Sequence, residues 1–65
     1  MWTVIYMARN HDMATKLKNT LEDGGLLVKI KTVNKSQESE DMCYEVLVPS
    51  TEVEEAHNII IEIGF

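Results

Sequence analysis

The chain opens on WTVIYMA, residues 2 to 8, a run of aromatic and β-branched side chains that fits a pleated, half-buried surface and predicts a strand. The period then changes. Met13, Ala14, Leu17 and Leu21 recur at three-and-four spacing, with Lys16 and Lys18 outside the stripe, which predicts an amphipathic helix. Gly24 and Gly25 end it, because a glycine past the last turn can adopt the left-handed backbone that closes a helix.

LLVKIKTV, residues 26 to 33, alternates Val28 and Ile30 with Lys29 and Lys31, the two-residue period of a strand with one dry and one wet face. The polar stretch NKSQESED, residues 34 to 41, leads into MCYEVLV, where Tyr44, Val46 and Val48 share one face and Cys43, Glu45 and Leu47 the other. Two strands around a polar loop predict a hairpin. Pro49 ends the second of them, and Ser50 or Thr51 is placed to cap another helix, with Thr51 to Glu54 at capping-box spacing. Glu52, Glu54 and Glu55 suit the positive end of its dipole, and Val53, Ala56, Ile60 and Ile63 form its apolar stripe. Ile59, Ile60 and Ile61 cannot all lie on one stripe, so Ile61 is expected to look outward.

Strand, helix, strand, strand, helix is the order of an α+β, ferredoxin-like βαββα unit that lacks its last strand. The expected sheet has order 1-3-2 and carries both helices on one face. A right-handed first crossover is taken to set strand 1 parallel beside strand 3, with strand 2 antiparallel on the other side. The edge from Trp2 to Met7 is then unpaired, with no lysine or proline to deter pairing. On the face away from the helices, alternation places Lys29, Lys31 and Glu45 with Leu27, Cys43 and Leu47, together with either Thr3, Ile5 and Met7 or the opposite set. The lysines are positioned to pair with Glu45. Such a face, or the strand 1 edge, suits a second copy of the chain.

Length sharpens that expectation. A chain of 65 residues forms one domain and hides only about 60% of the surface its unfolded form exposes, so packing needs help from a partner copy. The net charge of −5 argues against nucleic acid as a partner. Residues 1 to 35 hold all six bases and three acids, whereas residues 36 to 65 hold eight acids and no base. One cysteine, no signal-peptide pattern and no apolar run of spanning length lead to a soluble protein of a reducing compartment, the cytoplasm, with no membrane partner. A disulfide between two copies of Cys43 is expected in an oxidising buffer alone.

ARNHD, residues 8 to 12, gathers more chemically capable side chains than any other stretch. A general base needs an orienting partner and a pocket, and the chain offers one further histidine, His57. A structural task is closer at hand: Asn10 or Asp12 as N-cap accepts a bond from an orphan backbone donor of the first helix, worth about 1 kcal/mol. Capping outweighs catalysis here, and Arg9 and His11 are left at the rim. His11, Cys43 and His57 lack metal-ligand spacing, so no metal and no cofactor is expected. The glycines of DGGLL follow a helix, whereas a phosphate cradle needs them before one. Glu38, Glu40 and Asp41 lack the central glycine of a calcium loop, and a solvated hairpin loop is expected there.

VIYMARNHDMATKLKNTLEDGGLLVKI and YEVLVPSTEVEEA resemble a family of short prokaryotic proteins labelled as signal-transducing, a domain of unknown function grouped with PII-like ferredoxin folds. The likeness runs through a strand, a helix with Ala14 at mid-face, a Leu21, Glu22, Gly25 ending, a valine-rich strand, a proline and an acidic helix start. It implies a regulatory role in a bacterial cytoplasm and supplies no ligand and no catalytic residue. The PII proteins proper are longer and bind nucleotide between subunits; their fourth strand and basic nucleotide-gripping residues are missing here, so nucleotide binding does not carry over. The leading expectation is a non-enzymatic, homodimeric module that binds a protein partner or a small metabolite, with Trp2, Ile5, Met7, Arg9, His11 and the loop from residue 34 to 41 as its candidate surfaces. The alternatives are a small enzyme with Arg9, His11 and Asp12 at a subunit cleft, or a structural subunit marked by exposed Ile61 and Phe65.

Overall fold

A computed structural model describes residues 1–34 and 42–65 of the chain. The expected hairpin loop therefore lies outside the described residues. The elements are β1 (Trp2–Ala8), α1 (His11–Asp23), β2 (Lys29–Asn34), β3 (Met42–Pro49), a 3-10 turn at Ser50–Glu52 and α2 (Val53–Ile63). They form the expected α+β architecture, a three-stranded sheet of order β1-β3-β2 with the two helices packed on its Val46 and Val48 face.

One expectation about direction is corrected: β1 runs antiparallel to β3, not parallel. The crossover through α1 relates β1 to β2, which point the same way, and β3 returns between them by a hairpin from β2. A strand inserted in that manner opposes both neighbours.

The core is Ala8, Ala14, Leu17, Leu21, Leu26, Val46, Val48 and Ala56, all buried. Leu17, Leu21, Val46 and Val48 are its largest fully enclosed side chains, and they come from α1 and the central strand β3. This follows from the pattern: the alternation of β3 turns Val46 and Val48 onto the stripe of α1.

Both helices close by the same device. At the end of α1, Gly25 takes φ +88°, and Gly25 N–H and Leu26 N–H donate to the carbonyls of Glu22 (2.9 Å) and Leu21 (3.2 Å). At the end of α2, Gly64 takes φ +77° and Phe65 N–H donates to the Ile60 carbonyl at 3.1 Å. Each is the glycine-closed turn in which the residue after the glycine bonds back five positions and drops an apolar side chain onto the helix. Leu26 is buried by that turn, and Phe65 is half-buried with its ring 5.3 Å from Tyr6 in an edge-on arrangement. Phe65 is thus not the exposed end expected of a structural subunit, although Ile61 is exposed as expected.

The start of α2 differs from the capping box expected at Thr51 to Glu54. No side chain caps it. Ser50 N–H and Oγ–H instead donate to the Met1 carbonyl at 2.8 and 2.9 Å, and Thr3 Oγ1 shares a 2.9 Å bond with Ser50 Oγ. The serine is spent tying the beginning of β1 to the end of β3. Glu52 accepts from Leu27 N–H at 3.3 Å, which anchors the approach to β2. In the stripe of α2, Ile59 packs on the core with Val53, Ala56 and Ile60, while Ile63 is 45% exposed. The helix ends at Ile63, and Gly64 turns the chain so that Phe65, rather than Ile63, reaches Tyr6 of β1.

Candidate partner-binding surface

ARNHD is a junction between β1 and α1. Asn10, with extended backbone (φ −141°, ψ 164°), is the N-cap, and its Oδ1 accepts from Met13 N–H at 2.8 Å. Asp12 sits exposed in the first turn, where a carboxylate favours the helix dipole. His11 is the first helical residue: its ring meets Tyr44 edge-on at 5.6 Å, and Nδ1 lies 3.4 Å from Thr15 Oγ1. Arg9 is exposed. His57 is exposed on α2, and no three His, Cys, Asp or Glu side chains converge as metal ligands among the described residues. No polar or charged side chain is buried among the described residues either.

The other face of the sheet is where unsatisfied surface gathers. Register in an antiparallel pair assigns facing, because residues directly opposite share a side. Val4 lies opposite Leu47, which lies opposite Lys29; Met7 lies opposite Glu45, which lies opposite Lys31; Trp2 lies opposite Pro49, and Cys43 opposite Val33. These side chains form the uncovered face. Leu27, two residues before Lys29, is 63% exposed.

The β1 members are neither of the two alternating sets. A register shift between Val4 and Tyr6 leaves Ile5 without a partner, and Ile5 and Tyr6 both pack against the core. Such a bulge inserts one residue into a strand and resets its parity. The exposed set is therefore Trp2, Val4 and Met7, at 43%, 41% and 44% exposure, and Ile5 leaves the candidate surface for the core. Val4 was missed because TVIYM is apolar at four of five positions, so no alternation marks where the extra residue sits.

Charge on this face is opposite in sign to the chain. Lys29 and Lys31 stand against the single carboxylate of Glu45, whereas the whole protein carries −5. Neither lysine forms the expected ion pair with Glu45 among the described residues, where the one ion pair is Lys18 with Glu22 at 3.8 Å on α1. The Lys29 ammonium stands 5.8 Å from the Trp2 ring centroid instead. Among the described residues, no helix is long and apolar enough to cross a membrane. No protein-family model, curated protein or solved structure matches the chain.

Proposed function

We propose that this chain is a non-enzymatic regulatory module of the cytoplasm, homodimeric, that docks a protein partner on the uncovered face of its sheet. The observation that carries the reading is the face itself: Trp2, Val4, Met7 and Leu47 in an apolar strip that Glu45 interrupts and Lys29 and Lys31 border, on a chain of net charge −5. Three strands at about 4.8 Å spacing give a width of roughly 14 Å, enough for one helix of diameter about 10–12 Å. The matching partner is an amphipathic helix, apolar on one side, with Asp or Glu along the rim that meets β2. A small metabolite fits less well, since such ligands need concave enclosure. The enzyme alternative, with Arg9, His11 and Asp12, has less support, because His11 is engaged by Tyr44 and Thr15 while Arg9 and Asp12 stand exposed. A regulatory role also agrees with the resemblance to the signal-transducing family.

Trp2 is the only tryptophan and lies on the proposed face, so its emission reports occupancy. The test titrates the full chain with a synthetic amphipathic helix rimmed by glutamates and with the same helix rimmed by lysines. Expected is a saturable blue shift with the glutamate-rimmed peptide, abolished in a Lys29→Glu, Lys31→Glu variant. An equal response to both peptides, or to neither, rejects the docking face.

A further inference from the structure

β1 has β3 on one side and no strand on the other among the described residues. Its seven residues contain no charge and no proline, the usual guards of an exposed edge. The bulge at Ile5 twists the edge and makes it a poor template for an arbitrary regular strand, so a neighbour must be recognised by more than backbone. That further element lies directly above. α2 packs over β1 and β3, whereas α1 packs over all three strands, and Phe65 closes onto Tyr6 of β1. The side of α2 that meets α1 is marked by Ile59, whose Cδ1 would lie 2.8 Å from a Cβ on Gly24. Ile61 lies about 200° further around the helix and so points away from α1, beyond the β1 edge. It is 77% exposed, with exposed His57 one turn before it. By the same geometry Glu55 and Glu62 fall on the Ile59 side, and Glu54 near Ile61.

We infer that a second copy of the chain covers this edge: two β1 strands pair antiparallel about a two-fold axis perpendicular to the sheet, and the two α2 helices pack through Ile61 above them. The inference rests on the homodimer in the proposed function and assigns its surface. In a two-fold contact the same patch meets itself, so it must tolerate its own charges. The β1 edge does, being uncharged, while stacking one uncovered face on another about an axis that runs across the strands would bring Lys29 and Lys31 towards their own copies. A strand of seven residues is about 23 Å long and the two layers are roughly 20 Å deep, a projected footprint on the order of 450 Å² per copy and about 900 Å² in all, the size of a weak, exchanging dimer rather than of a permanent one. The product is a six-stranded sheet, β2-β3-β1-β1-β3-β2, with all helices on one side. Its opposite side joins both uncovered faces, with the apolar β1 residues in the middle, Leu47 and Glu45 outside them and the lysines at the flanks. The two Cys43 residues then sit three strand spacings apart, at least about 14 Å, beyond disulfide reach.

Analytical ultracentrifugation of the full chain in reductant tests this. The wild type is expected at twice 7.4 kDa, Ile61→Asp to weaken the dimer tenfold or more with an unchanged circular dichroism spectrum, and Lys29→Glu, Lys31→Glu to stay dimeric. A wild-type monomer at micromolar concentration overturns both the homodimer and this surface; a dimer equally tight in Ile61→Asp overturns the surface alone. Amide hydrogen exchange of the wild type gives a second check without substitution: protection at successive β1 amides is expected, and free exchange at alternate ones overturns the edge pairing. The peptide titration on Trp2 stands or falls separately.

Discussion

The Lys29 ammonium lies 5.8 Å from the Trp2 ring centroid, although their strands are separated by β3. The two side chains therefore approach each other across the outer surface of the central strand, where Leu47 and Pro49 are their register partners. Lys29→Met keeps the aliphatic stem and removes the charge. Exposed contacts of this kind contribute about 0.5–1 kcal/mol, so urea denaturation should show a loss within that range. A loss above about 2 kcal/mol would mean that the face is buried by something else.

The bulge makes a prediction that regular alternation does not. Ile5→Ser removes a side chain packed against the core and should destabilise by about 1–3 kcal/mol, while Val4→Ser, on the uncovered face, should change stability by less than about 1 kcal/mol. Equal losses, or the reverse order, would contradict the assigned register.

Asn10→Ala removes the acceptor of Met13 N–H and should cost about 1 kcal/mol, a fall of roughly 4–8 °C in Tm for a domain of this size. Asp12→Asn leaves that bond in place and should cost no more than about 0.3–1 kcal/mol, a difference that salt reduces. Thermal melts of the two variants check the order.

Leu17→Ala empties a fully enclosed site between α1 and the sheet, and such truncations cost about 2–5 kcal/mol. In a 65-residue domain that is a large part of the total margin, so the variant should be substantially unfolded at 37 °C by circular dichroism.

Much of the fold was legible because its signals are local. Val28 to Lys31 and Tyr44 to Val48 alternate, Met13 to Leu21 repeats at helical spacing, and Asn10 and the Gly24–Gly25 pair punctuate α1. What was not legible depends on relations between distant residues. The direction of β1 follows from which strand the hairpin inserts, and Ser50 lost its capping role to the Met1 carbonyl, a partner 49 positions away. Ile59 replaced Ile63 in the apolar stripe, and Phe65, brought back by the turn at Gly64, packs on the core at that end of α2. For the candidate surface, Trp2 and Met7 were legible as an apolar edge, whereas the exchange of Ile5 for Val4 required the bulge to be seen.

The measurement that bears most directly on the central claim is amide-resolved NMR of the full chain, titrated with the glutamate-rimmed helix and, in parallel, with a pool of nucleotides and metabolites. Docking on the uncovered face predicts that the peptide shifts Trp2, Val4, Met7, Lys29, Lys31 and Leu47 together while the pool leaves the spectrum unchanged. Shifts caused by the pool and confined to Arg9, His11, Asp12 and Tyr44, with the sheet face silent, would contradict it and place function at the junction of β1 and α1.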